Sequence, residues 1–126
     1  MDLPRVVIVN DSAFHRRLMS DVVQCNEMRA ETCEGEAWID EIASPEKKPS
    51  VVVVDLDLPR SRGIRVVQKL RALPGALRPR IIGLSRSVAA GQAAVEVEQL
   101  ISGPLDVGGF ARSVVEQARE ARALDA

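Results

Sequence analysis

Short runs of β-branched residues alternate with segments of helical periodicity along this chain, and that alternation limits the possible folds more than any other feature. The runs at residues 5–9 and 51–54 are apolar at nearly every position, which is typical of parallel strands covered on both faces. Strands that alternate with helices favour a parallel sheet with helices on its two sides. We therefore predict an α/β fold, a doubly wound five-stranded parallel sheet.

The predicted elements follow one another without an intervening linker or internal repeat. The predicted strands are RVVIV (5–9), RAETC (29–33), VVVVD (51–55), PRIIGLS (79–85) and QLIS (99–102). The predicted helices cover residues 11–24, 34–44, 63–73 and 108–124, and an Ala-rich candidate interrupted by Gly91 covers 88–99. Helical spacing predicts inward-facing residues in these helices: Phe14, Leu18, Val22 and Val23; Trp38, Ile39 and Ile42; Ile64, Val67 and Leu70; Phe110, Val114, Val115 and Ala118.

Composition and charge exclude several classes of protein. The 126 residues are 46% hydrophobic and 28% charged with a formal net charge of −1, which predicts a single globular domain over 1–126 and no direct nucleic-acid binding. The apolar runs are too short to span a membrane, and the N-terminus lacks the pattern of an export signal. Cys25 and Cys33 lack metal-ligand spacing and fit reduced thiols, so we expect a cytoplasmic protein without membrane contact.

Polar residues follow three of the predicted strands at the point where each strand ends. Asn10 and Asp11 come after the first, Asp55 ends the third, and Ser85 ends the fourth. In open parallel sheets, ligands bind beyond the carboxyl ends of the strands, so these side chains are expected in one cleft. Carboxylates so close repel each other unless a cation lies between them. Mg²⁺ prefers such oxygen ligands, and we expect it here.

The same residues carry a family resemblance when they are taken in order. The segment VVVVDLDLPRSRGI resembles the acceptor motif D-x-x-x-P-x-x-x-G of response-regulator receiver domains, with Asp55, Pro59 and Gly63 in its fixed positions. VVIVNDSAFHRRLM resembles the first family motif, and ETCEGEAWIDEI resembles the second strand and helix. RIIGLS resembles the strand that ends in the switch Ser or Thr. The resemblance covers residues 4–123, and the chain is similar in length to the free-standing chemotaxis regulator.

The resemblance implies a flavodoxin-like (βα)5 fold with strand order 2-1-3-4-5, and a role for each matching residue. Asp55 would accept a phosphoryl group from a kinase histidine, and Ser85 would hydrogen-bond that group. Asp11 would bind Mg²⁺ directly, Asn10 indirectly, and Asp57 through its backbone carbonyl. Phosphoryl transfer relies mainly on positioning and charge neutralisation. A receiver of this kind is a regulatory domain and not an enzyme, beyond catalysing its own phosphotransfer and dephosphorylation.

The implied partners are proteins. They are a sensor histidine kinase or phosphotransfer protein, a downstream protein effector and, through the last strand and helix, a second copy of the chain as a homodimer. The sequence supplies no DNA-binding effector segment after the domain. Any output is therefore expected to pass through protein contacts.

Several positions depart from the family pattern. Gly103 stands before Pro104, where the family has a Lys that clamps the acceptor and the phosphoryl group. Arg86 follows Ser85 in place of a small residue, so its side chain could block the acceptor or substitute for the missing Lys. Leu100 stands at the aromatic switch position, and the span between Ser85 and Pro104 is shorter than usual, which predicts a stunted fourth helix.

Two functions remain open from these residues. The first is a receiver that binds Mg²⁺ and accepts phosphate on Asp55, with weakened switching. The alternative is a phosphorylation-independent pseudo-receiver that acts as a protein–protein interaction module. A haloacid dehalogenase phosphatase is disfavoured because those enzymes need a Thr or Val shortly after the D-x-D pair. This chain has Pro59 at that position. His15, the single histidine, is expected on the surface of the first helix.

Overall fold

The chain folds around a five-stranded parallel sheet with the order β2-β1-β3-β4-β5. The computed structural model describes residues 3–42, 46–86 and 96–125. The strands are β1 (Arg5–Val9), β2 (Arg29–Cys33), β3 (Val51–Asp55), β4 (Arg80–Ser85) and β5 (Gln99–Ser102). The α-helices are α1 (Ala13–Cys25), α2 (Arg62–Arg71) and α3 (Val107–Asp125), and 3-10 helices cover Ala37–Ile42, Pro59–Ser61 and Gly75–Leu77. The predicted fold class and strand order are therefore confirmed.

Each face of the sheet is covered by its own set of helices. On one face, strand residues pack against α1 and α3; the buried members of this group include Val6, Ile8, Val53, Met19, Val23, Phe110 and Val114. On the other face, strand residues pack against α2 and the 3-10 helix over Ala37–Ile42; its buried members include Val7, Val9, Val52, Ile39, Val66, Val67 and Leu70. Burial on both faces explains why the central strands β1 and β3 are apolar at nearly every position and do not alternate.

The predicted strands match the structure closely, and the second helix does not. Four strands have the predicted bounds, and β4 begins at Arg80, one residue later than predicted. The segment predicted as the second helix is a 3-10 helix over Ala37–Ile42. The indole N–H of Trp38 donates to the carbonyl of Gly35 over 2.6 Å, and the Ile39 N–H donates to Glu36. In an α-helix the Ile39 N–H would instead use the Gly35 carbonyl.

The inward faces of the helices are largely as predicted, with one clear exception. Phe110, Val114 and Ala118 are buried in α3, while Phe14 of α1 is 72% exposed. The buried residues of α1 are Met19 and Val23. Phe14 lies five positions before Met19 and is therefore about 140° away around the helix. Its ring makes an edge contact with the His15 ring, with 5.6 Å between the centroids.

In α2, Val67 and Leu70 are buried as predicted and Ile64 is half-buried, while Val66 is buried as well. Most of the Ala-rich segment predicted as a helix lies in residues 87–95, outside the described ranges, as does the side chain of Ile42. Both cysteines are free thiols, as expected. No helix in the described ranges is long and apolar enough to cross a membrane.

The absence of a side chain at Gly63 brings α2 against the end of β3. A Cβ atom at Gly63 would overlap the backbone carbonyl oxygen of Asp55. That oxygen belongs to the backbone and cannot move away as a flexible side chain could. The first turn of α2 and the carboxyl end of β3 are therefore held together by a contact that only glycine permits.

We predict that Gly63→Ala lowers the free energy of unfolding by about 1–3 kcal/mol, because the methyl group has no space and α2 must shift. Urea denaturation followed by circular dichroism measures the change. The matched control is Gly75→Ala, since a Cβ at Gly75 meets nothing within 4 Å. Equal stability of the two variants would contradict the close contact.

Candidate functional site

A cleft of about 640 Å³ opens at the carboxyl ends of the strands, where the sequence predicts a ligand site. It brings together all six predicted site residues and several neighbours. The lining residues are Asn10, Asp11, His15, Met19, Asp55, Asp57, Leu84, Ser85, Arg86, Ile101, Gly103, Pro104 and Leu105. The cleft follows from the register of the parallel sheet, because Asp55 lies beside Leu84 at the end of the β3–β4 pair.

Asp55 lies at the centre of the cleft with its carboxylate half-buried. Its Oδ1 accepts a hydrogen bond of 2.9 Å from the backbone N–H of Asp57. The side-chain amide of Asn10 donates to its Oδ2 over 3.4 Å. These two donors fix the orientation of the carboxyl group and leave it facing the cleft.

Burial raises the pKa of Asp55 above its ordinary value. The negative charges of Asp57 and Asp11 raise it further, while the Asp57 N–H and the Arg86 charge act in the opposite direction. The folded protein therefore holds a proton on Asp55 more tightly than the unfolded chain does. A bound cation in the cleft would relieve the same repulsion.

The carboxylate of Asp57 accepts two hydrogen bonds from the end of β4. The Ser85 hydroxyl donates to its Oδ1 over 3.0 Å, and the Arg86 backbone N–H donates to its Oδ2 over 2.7 Å. The sequence predicted a role only for the backbone carbonyl of Asp57 and not for its side chain. Asp57 lies beyond the end of β3, and its partners follow it by 28 and 29 residues, so no local spacing indicated these contacts.

Asn10 and Asp11 follow β1 in different environments. Asn10 is 5% exposed, and its Oδ1 accepts a bond of 2.7 Å from the Ser12 N–H. Asp11 is exposed and forms an ion pair of 3.5 Å with Arg62, at the start of α2. Arg62 also donates to the backbone carbonyl of Glu34 over 3.1 Å. An arginine therefore already contacts one of the two carboxylates expected to bind a metal.

Arg86 and Gly103 occupy the rim of the cleft on the β4 and β5 side. Arg86 is exposed and lines the cleft, and its charge makes the smallest of the contributions to the Asp55 pKa, which it lowers. Gly103 contributes no charge; its N–H donates to the Ser85 carbonyl over 3.0 Å, and its φ is +80°. Each described peptide bond is trans, including Gly103–Pro104.

The oxygen atoms of the cleft suit a hard cation. The carboxylates of Asp11 and Asp55 and the carbonyl of Asp57 fit Mg²⁺, which takes one or two carboxylates and keeps several waters. Among the described residues, no group of three or more His, Cys, Asp or Glu side chains forms a metal cluster.

Comparison with known proteins gives the same family throughout. The sequence profile of the response regulator receiver domain matches residues 6–103. The chain is 30% identical over 105 residues to the chemotaxis protein CheY of Thermotoga maritima, with 81% of each chain covered. It is 34% identical over 105 residues to a protein-glutamate methylesterase/protein-glutamine glutaminase of Moorella thermoacetica, which covers 81% of this chain. The chain spans 23% of the length of that relative.

Among solved structures, the receiver domain of a sensor histidine kinase from Pseudomonas aeruginosa PAO1 superposes with a TM-score of 0.78. The match is 13% identical in sequence and covers 93% of this chain and 98% of the other. That structure is described with a magnesium ion coordinated in its active site cleft. The likeness supports the fold, and the profile match over residues 6–103 establishes the family. The chain belongs to the response-regulator receiver family of two-component signalling.

Proposed function

We propose that the chain is a phospho-acceptor domain in which Asp55 takes a phosphoryl group from a histidine kinase or a phosphotransfer protein. The observation that carries this proposal is the position of Asp55. Its carboxylate is held in the cleft by Asn10 and by the Asp57 N–H, and the Ser85 hydroxyl ends the neighbouring strand. A carboxylate is a competent nucleophile for phosphoryl transfer when it is positioned and its charge is balanced.

The residues of the cleft divide the work of positioning and charge balance. Asn10 and the Asp57 N–H orient the Asp55 oxygens, and Asp11 and the Asp57 carbonyl provide further oxygen ligands. Bound Mg²⁺ would supply the positive charge that offsets the carboxylates and the incoming phosphoryl group. A structure of the same fold is described with magnesium in its own active site cleft, and magnesium here would be consistent with that likeness.

Arg86 is the group that we propose as a substitute for the lysine missing at Gly103. Its charge already acts on Asp55, since it lowers the pKa of that carboxyl group. A guanidinium group presents several donors in a fixed plane and suits phosphoryl oxygens. In this role Arg86 would neutralise charge on the transferring group from the β4 side of the cleft, and Ser85 would hydrogen-bond it.

The partners follow from this role. We propose that the domain works in the cytoplasm with a sensor histidine kinase or phosphotransfer protein and a downstream protein effector. We also propose that two copies of the chain can form a homodimer through β5 and α3. Some relatives are named as methylesterases, and this chain matches only 23% of the length of one of them. A role in such an enzyme would require a catalytic domain attached to this one.

A second function, a phosphorylation-independent interaction module, is favoured by a separate observation. Asp57 already binds the Ser85 hydroxyl and the Arg86 N–H, and Gly103 provides no cation. With both features, the conformation at the end of β4 would not depend on whether Asp55 carries a phosphoryl group. The two functions differ in whether Asp55 becomes phosphorylated.

We predict that incubation with acetyl phosphate and Mg²⁺ adds one phosphoryl group to the protein and that Asp55→Asn abolishes the adduct. The physical reason is that acetyl phosphate supplies the phosphoryl group directly and the positioned carboxylate is the nucleophile. Intact-mass spectrometry gives the measurement. Asp21→Asn, on the exposed surface of α1, serves as the control and should be labelled normally. No adduct at any donor concentration would favour the interaction module.

We predict that Arg86→Ala lowers the rate of phosphorylation by about 10- to 100-fold, because the variant lacks a positive charge that would stabilise the transferring phosphoryl group. The backbone bond from residue 86 to Asp57 is retained in this variant. Arg86→Lys keeps the charge and should recover part of the rate. The time course of adduct formation gives the measurement, and an unchanged or faster rate in Arg86→Ala would show that Arg86 obstructs the acceptor.

We predict that Asp55→Asn raises the free energy of unfolding at pH 7 and that the gain disappears below about pH 3.8, the ordinary pKa of the group. The raised pKa means that the folded state binds the proton more tightly, so stability falls as pH rises through the interval between the two pKa values. Thermal denaturation in Mg²⁺-free buffers measures the gain, and Asp21→Asn is the control. A gain independent of pH would contradict the raised pKa.

A further inference from the structure

The carboxyl end of β4 is joined to Asp57 by two hydrogen bonds. The Ser85 hydroxyl and the Arg86 N–H belong to consecutive residues, and both donate to the same carboxylate, over 3.0 and 2.7 Å. Ser85 is 3% exposed, so its hydroxyl is held inside the cleft. The anion that receives these two bonds lies two residues after the proposed acceptor.

A phosphoryl group on Asp55 would need hydrogen-bond donors from the end of β4, where Ser85 and the Arg86 N–H lie. Ser85 and Asp55 end neighbouring strands, and both line the cleft. A hydroxyl has one proton, and a backbone amide has one. While both protons are donated to Asp57, neither is available to a phosphoryl oxygen, because a donation to that oxygen breaks a bond to Asp57.

We propose that the Asp57 side chain is a positioning group that stands in for the phosphoryl group. It accepts hydrogen bonds from the Ser85 hydroxyl and the Arg86 N–H and so holds the end of β4 close to the acceptor. Phosphorylation of Asp55 then competes with Asp57 for the same two donors. The proposal rests on Asp55 as the acceptor of the proposed function, whereas the two hydrogen bonds to Asp57 are observed in the structure.

The charges around Asp57 favour this role. Hydrogen bonds to an ionised carboxylate are shorter and stronger than bonds between neutral groups, and 2.7 Å is short for a backbone N–H donor. The Asp57 backbone N–H donates to Asp55 Oδ1 over 2.9 Å, so the two residues are in direct contact. A phosphoryl group on Asp55 would add negative charge beside Asp57 and draw the Ser85 and Arg86 donors away from it.

The test measures the Arg86 amide by hydrogen exchange and NMR in the full chain without phosphate. We expect exchange of this amide to be about 10- to 100-fold faster in Asp57→Ala, the range that corresponds to loss of a bond to a charged acceptor. Asp21→Asn, which removes a carboxylate from the exposed surface of α1, is the control and should leave the rate unchanged. An unchanged rate in Asp57→Ala would overturn the proposal.

A second measurement separates competition from structural damage. Beryllium fluoride with Mg²⁺ is the probe, as an analogue of the phosphoryl group on a carboxylate. Competition predicts binding about tenfold tighter in Asp57→Ala, since Asp57 no longer competes with the probe for the two donors, whereas a damaged cleft would bind the probe more weakly. Weaker binding in Asp57→Ala would therefore overturn the proposal.

Asp57→Asn distinguishes hydrogen bonding from charge. Its side chain keeps an acceptor oxygen and loses the charge, so intermediate values are expected in both measurements. A full gain in probe affinity with an unchanged Arg86 exchange rate would assign the effect to charge alone and overturn the proposal. Failure of the probe to bind any variant would count against Asp55 as acceptor, while the Arg86 exchange rate still decides the role of Asp57.

Discussion

The burial of β3 on both faces is the constraint on which the rest of the structure depends. Val51–Asp55 pairs with β1 on one side and β4 on the other, and its four valines are fully buried. A strand enclosed in this way cannot shift its register without exposing apolar surface. The position of Asp55, the last residue of β3, is therefore fixed, and its side chain faces the cleft. The close contact at Gly63 holds α2 against the same end of β3.

Most of the fold could be predicted from the sequence because parallel strands buried on both faces have a distinctive composition. Strand bounds and most of the cleft residues followed from that pattern and from the rule that sites form at strand ends. The 3-10 helix could not be predicted, since it depends on the indole of Trp38 reaching the Gly35 carbonyl. Phe14 was placed wrongly because an apolar residue within a helical segment need not lie on its buried face.

The Asp57 side chain was missed for a different reason. Its partners, Ser85 and the Arg86 N–H, lie 28 and 29 residues later in the chain, and no local pattern relates them to it. The family resemblance also directed attention to the backbone carbonyl of this residue. Contacts between side chains and a distant backbone amide require the folded geometry, whereas the placement of Asp55 requires only the strand.

The backbone at Gly103 decides whether the turn after β5 could carry a lysine. Its φ of +80° lies in a region that residues with a side chain rarely adopt. A lysine at position 103 would therefore add a positive charge to the cleft together with backbone strain of about 1 kcal/mol. Two other positions supply positive charge beside the cleft without that strain, because Arg62 pairs with Asp11 and Arg86 lines the cleft.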